Sequence, residues 1–196
     1  MKNPIEMEKI RAVSNTGPLI SAFQSRMTYL LKRYFSVIYI TASELVEFEK
    51  HGWIDDIQSL INDGLVIVVE KLLPQEKMFA EQIAKRIAED PSSGDPKWIN
   101  HLPEAEAMAL MKNRFNLMIE FILLDEKAAR NVAKELGLNI TGFPGIIGRA
   151  GMEGLINEDE IRKMLKICQQ QGTHYSNKLI ETVAQTYGSK SHENNS

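Results

Sequence analysis

The chain has one cysteine, Cys168, in 196 residues. No intramolecular disulfide can therefore brace it, and stability has to come from a buried core. Long apolar runs are also missing: even the mostly apolar stretch Leu117 to Leu124 falls far short of the roughly 20 residues that a membrane-spanning helix needs. The opening stretch MKNPIEMEKIR has no apolar centre of the secretory kind, so a soluble, cytoplasmic protein without a membrane partner is the expectation. An excess of positive charge is absent as well. Lys and Arg number 23 against 26 Asp and Glu, for a net charge of −3, so any contact with nucleic acid must rest on a local basic patch. The four histidines, His51, His101, His174 and His192, share no metal-ligand spacing with one another or with Cys168, which argues against a zinc site. A Gly-x-Ser-x-Gly elbow, a P-loop and a Gly-rich dinucleotide fingerprint are all missing. The two tryptophans, Trp53 and Trp98, read as packing residues.

What remains is an ordinary globular composition, 43% hydrophobic and 25% charged, at a length that suits one main core with peripheral helices. Ile10 to Val13 is a short apolar run followed by Ser14-Asn15-Thr16-Gly17-Pro18, which reads as strand, tight turn and helix. Val37 to Ile40 is β-branched and aromatic, and Thr41 with Glu44 has the capping-box spacing. Trp53 to Ile61 carries a helical stripe stopped by Asn62-Asp63-Gly64, and Leu65 to Val69 reads as the next strand. Met78, Phe79, Ile83 and Ile87 recur at helical spacing before Asp90-Pro91-Ser92-Ser93-Gly94-Asp95-Pro96, a run of turn residues expected to form a flexible loop. Pro103 opens another helix to Arg114, and Leu117 to Leu124 reads as a strand covered on both faces. A helix to Leu136 stops at Gly137, and Asn139 to Thr141 suits a short last strand. Helices are expected from about Pro144 to Ala150 and from Glu158 to Gln170, with another within Tyr175 to Tyr187. Alternating strands and helices predict an α/β fold built on a parallel sheet of about four or five strands flanked by helices. The expected organisation is a main domain over 1–155, a C-terminal helical extension over 156–187 on the same core, and a disordered tail over 188–196.

Ligands of open parallel sheets sit beyond the carboxyl ends of the strands, and there the sequence is rich in acids and amides. Asn15 follows the first strand, and Glu44 and Glu47 lie in the helix after the second. Glu104 and Glu106 open the helix before the fourth strand, and Asp125 and Glu126 close that strand. Oxygen ligands from separate elements are what Mg²⁺ or Mn²⁺ requires. Each also has an ordinary structural explanation as a helix cap or as the acid at the positive end of a helix. Helical geometry puts Glu104 on a face with Met108, Met111 and Phe115, and Glu106 on the side of Asn113.

Three stretches, VSNTGPLISA at 13–22, LPEAEAMALM at 102–111 and ILLDEKAARNVAKELGLNITGFPGIIGRA at 122–150, resemble the PIN-domain proteins, and most closely a prokaryotic branch of predicted nucleic-acid-binding members. The motifs occur in the family's order across about residues 10–155. The resemblance implies a PIN-like α/β sandwich and an acidic cluster that binds one or two Mg²⁺ or Mn²⁺ ions for phosphodiester hydrolysis. It implies a ribonuclease, the toxin of a toxin–antitoxin pair, with RNA as substrate, an antitoxin protein as partner and a homodimer as assembly. Carried across by position, the cluster falls on Asn15, Glu47, Glu104, and Asp125 or Glu126, with Thr16, Glu44 and Glu106 in secondary roles. Lys127, Arg130 and Arg149 are the candidate phosphate contacts.

Two departures from the family pattern bear on activity. Asn15 stands where the family usually has Asp, and a neutral amide binds Mg²⁺ more weakly than a carboxylate. Pro103 replaces the glycine before the paired glutamates and follows an unusually long insert from about Asp90 to His101. These departures keep a second reading open, a catalytically weak PIN-like module that binds RNA or a protein.

Overall fold

The computed structural model describes residues 9–188. Strands β1 (Ile10–Ser14), β2 (Phe35–Thr41), β3 (Val66–Val69), β4 (Phe121–Leu123) and β5 (Ile140–Thr141) form one sheet. Its order is β3-β2-β1-β4-β5 and every pairing is parallel. The helices are α1 (Thr16–Gln24), α2 (Thr28–Tyr34), α3 (Ala42–Lys50), α4 (Ile54–Asn62), α5 (Pro74–Glu89), α6 (Leu102–Asn113), α7 (Lys127–Glu135), α8 (Phe143–Met152), α9 (Glu158–Gln170) and α10 (Asn177–Tyr187). The α/β sandwich read from the sequence is present.

Alternation along the central strands divides the core in two. Ala12, Ile38, Ile40 and Leu123 face a cluster that includes Leu19, Phe48, Ile57, Phe143, Ile161 and Ile180. Val13, Tyr39, Ile122 and Leu124 face a second cluster with Ile83, Met108 and Val132. Such two-sided burial is what a parallel sheet with helices on both faces requires. Residues of α9 and α10, among them Ile161, Leu165, Cys168, Val183 and Ala184, belong to the first cluster. Among the described residues no helix is long and apolar enough to cross a membrane.

The structure corrects several boundaries. The strand expected over Leu117 to Leu124 is only Phe121–Leu123, because Phe115–Leu117 is a 3-10 turn and Met118 follows in the left-handed region at φ 49°. Apolar character there reflects local packing, not a ladder. No tight turn precedes α1; Asn15 alone joins β1 to the helix, with Pro18 inside its first turn. Helix α2, not anticipated, is set off from α1 by Arg26 at φ 58°. The stop at Gly137 has the expected Schellman bonds, Leu138 N–H to Ala133 O at 3.0 Å and Gly137 N–H to Lys134 O at 2.9 Å. Of the tail expected over 188–196, all but Gly188 lies outside the described residues.

Register brings the strand ends level. Ser14 pairs with Leu123, Leu123 with Thr141 and Thr41 with Val69, so the residues that follow β1, β2 and β4 emerge on one edge of the sandwich.

Candidate metal centre

Asn15 caps α1. Its Oδ1 accepts the Gly17 N–H at 3.2 Å, and this fixes the other end of the amide, whose Nδ2 donates to Glu104 Oε1 at 2.9 Å. Thr16, next in sequence, donates its hydroxyl to Glu47 Oε2. The end of β1 therefore holds two carboxylates from two different helices, α6 and α3. Asn15 and Thr16 are both buried.

Glu44 is fully buried in the first turn of α3, where Oε2 accepts the Thr41 N–H at 2.6 Å. The expected capping box of Thr41 and Glu44 is present, and Glu44 Oε1 remains buried without a partner. Burial pushes the Glu44 carboxyl well above its ordinary range, and the neighbouring Glu104, Glu47 and Glu106 raise it further. Glu104 behaves alike. Burial pushes its pKa up to about 7, with added repulsion from Glu47 and Glu126. Glu104 Oε2 and Glu106 Oε2 are both buried and unpartnered. Although two positions apart on α6, Glu104 and Glu106 each bury one carboxylate oxygen. Phe115, expected to share the Glu104 face, lies beyond the end of α6 and is 81% exposed.

The acids after β4 differ in kind. Glu126, not Asp125, caps α7, its two oxygens accepting from Ala128 N–H at 3.1 Å and Ala129 N–H at 2.7 Å. Asp125 turns toward α8: Oδ1 accepts the Phe143 N–H at 3.0 Å and Oδ2 the Tyr175 hydroxyl at 2.6 Å. Burial raises its pKa. It nonetheless lies near Asn15, because a side chain on Gly17 would meet both Asn15 Oδ1 and Asp125 Cβ within 4 Å.

The expected basic residues are dispersed. Lys127 is exposed at the start of α7, and Arg130 donates to Leu124 O at 2.7 Å beside Asp125. Arg149 lies two turns along α8, pairing with Glu153 and stacking over Tyr34 at 4.4 Å, toward the amino ends of the strands. An open depression lined by Lys9, Lys32, Phe35, Asp63 and Leu65 lies at that same far end, away from the acids. Three participants had no sequence signal. His101 is buried beside Glu104, and its positive form would favour the ionised acid. Tyr175 and Ser21, 2.9 Å apart, stand in unremarkable local contexts.

Glu44, Glu47, Glu104 and Glu106 thus crowd together, with no Lys or Arg among their hydrogen-bond partners in the described residues. Among the described residues, no three Asp, Glu, His or Cys side chains stand ready to share one ion. The donor set still suits a divalent cation: every group is a hard oxygen, buried oxygens of Glu104 and Glu106 lack partners, and mutual repulsion raises Glu104.

A parallel α/β sandwich with an acidic centre at its strand ends defines the class. A family model described as PIN domain matches residues 11–189, and the chain belongs to the PIN-domain family. That family is of nuclease type, interacts with nucleic acid and generally uses divalent metal ions. No curated protein matches the chain.

Proposed function

We propose that the chain is a metal-dependent endoribonuclease that holds Mg²⁺ or Mn²⁺ through Glu47, Glu104 and Asp125, with Asn15 at the first position of the cluster. The observation that carries this reading is Glu104: a buried carboxyl with one oxygen oriented by Asn15, the other unpartnered, and other carboxylates around it in place of a cation. A protein that needed this acid only for stability would lower its free energy by pairing it.

When bound, the ion supplies Lewis-acid stabilisation of phosphate charge and an activated water. The chain's own residues do the rest. Thr16 orients Glu47 and Asn15 orients Glu104, so both ligands are fixed from the end of β1. Glu44 lies buried behind them, and burial pushes its pKa well above the ordinary carboxylate range. Glu126 contributes negative potential, and Glu106 is a reserve oxygen donor. Lys127 and Arg130 contact substrate phosphates, with Arg149 a more distant candidate. The finer parts of the reading, RNA as substrate, toxin of a toxin–antitoxin pair, an antitoxin segment over the acids, a homodimer and a cytoplasmic location, rest on family resemblance.

The test is cleavage of single-stranded RNA by the full chain in Mn²⁺. Cleavage is expected, and it should be lost in Glu104→Ala and Asp125→Ala. RNA binding without cleavage at any Mn²⁺ concentration would instead favour the catalytically weak binding module. Asn15, which removes one negative charge from the cluster, is the feature that favours this second reading.

A further inference from the structure

We propose that Tyr175, on the connection between α9 and α10, is a positioning residue for the metal centre, its hydroxyl fixing the Asp125 carboxylate from behind. The inference rests on the ribonuclease reading, which makes Asp125 a ligand.

A carboxylate can only accept hydrogen bonds, so the single proton of the Tyr175 hydroxyl goes to Asp125 Oδ2, at 2.6 Å. Ser21 Oγ, 2.9 Å from the same hydroxyl, must then donate to it. The result is a directed chain from Ser21 through Tyr175 to Asp125, and Ser21 sits on α1, the helix that Asn15 caps. The other carboxylate oxygen is held by the Phe143 N–H at 3.0 Å, at the positive end of α8. A side chain on Gly142 would collide with Asp125 Oδ1 and with Leu124 O, so the backbone itself closes the cradle. Each oxygen keeps a second lone pair, and a carboxylate anchored in this way presents those lone pairs in one orientation.

The alternative is that Tyr175 merely ties the C-terminal helices to the sheet. Metal affinity separates the two, because a tie has no reason to change it. In the full chain without RNA, with Mn²⁺ binding followed by electron paramagnetic resonance of the free ion, Tyr175→Phe is expected to weaken binding about 10- to 100-fold, the usual loss when a ligand's supporting hydrogen bond is removed. At saturating Mn²⁺ its RNA cleavage should return toward the wild-type rate. Ile57→Ala, which opens a cavity in the same core from α4 and lies outside this chain of hydrogen bonds, should lower the melting temperature without changing Mn²⁺ affinity. If Tyr175→Phe fails to fold, the double variant with Ser21→Ala, which leaves no buried hydroxyl unpaired, carries the same expectation. Wild-type Mn²⁺ affinity in a folded Tyr175→Phe chain overturns this inference and leaves the nuclease reading standing. No Mn²⁺ binding by the wild type overturns that reading, and this one with it.

Discussion

Glu76 and Glu104 occupy the same place in two neighbouring helices, the third residue of α5 and of α6, each beside a proline of the first turn. Both are buried. Glu76 accepts Arg114 Nε at 2.7 Å, Arg114 Nη2 at 2.9 Å and the Leu73 N–H at 2.6 Å. Burial alone would raise its pKa, but Arg114 outweighs that and holds the carboxyl below its ordinary range. Glu104 has no Lys or Arg partner among the described residues: Asn15 donates a neutral amide to one oxygen, the other side-chain oxygen is unpartnered, and burial raises its pKa to about 7. Helix position and burial are therefore not what separates a structural acid from a candidate ligand. The difference is whether the protein supplies its own cation.

The largest effect is expected from removing that cation from Glu76. Arg114→Met leaves a buried charge with one backbone donor, and unfolding in urea at pH 7 should show a loss of about 3–5 kcal/mol. The pH dependence should also change sign. The wild-type pair has a depressed folded pKa, so its contribution is present above the ordinary value of 4.5 and fades as pH falls through the folded value. Without Arg114 the folded pKa rises above 4.5, and stability falls with increasing pH. A loss under about 1 kcal/mol would mean that the ion pair has little structural weight, and the contrast with Glu104 would fail.

The converse change should stabilise. Glu104 has a folded pKa of about 7 against an ordinary 4.5, so the metal-free protein holds an extra proton between those values. The associated stability is full below about pH 4.5 and lost as pH rises to about 7. Glu104→Gln keeps an acceptor for Asn15 and carries no charge. In EDTA at pH 8 it should therefore exceed the wild type by up to about 3 kcal/mol, with no advantage near pH 4.5. Mn²⁺ at pH 8 should raise the wild-type melting temperature and leave the variant unchanged. A variant less stable than wild type at pH 8 would show that the ionised carboxylate already has a partner.

The sequence makes half of this contrast visible. Strand ends followed at once by Asn15, by Thr41 with Glu44, and by Asp125 with Glu126 mark the carboxyl edge of a parallel sheet, and each lies there. Those signals are local: a strand end, a cap and a helix start are set by residues within four positions of one another. Which acid receives a cation is not local. Arg114 reaches Glu76 across 38 residues and Tyr175 reaches Asp125 across 50, and neither partner differs in its surroundings from other residues of its type. The same limit explains Arg149, which stands near the acids in the motif but is carried along α8 to Glu153 and Tyr34. It also explains the over-long strand at Leu117, since apolar residues satisfy a turn packed on the core as well as a ladder.

The smallest effect concerns the adjacent acids after β4, where Glu126 is a third kind of carboxylate. Glu126 is satisfied by two backbone donors of α7, not by a cation, so Glu126→Ala should cost about 1 kcal/mol, the worth of a helix cap. Its effect on Mn²⁺ should be indirect. The Glu126 charge is among those that raise Glu104, so removing it lets Glu104 ionise at lower pH and moves the onset of Mn²⁺ binding to slightly lower pH with the capacity intact. Asp125→Ala should abolish binding at every pH. If Mn²⁺ titrations across pH 5–8 instead show Glu126→Ala losing the ion as fully as Asp125→Ala, the fourth ligand is Glu126, and its two backbone bonds must yield when the ion enters.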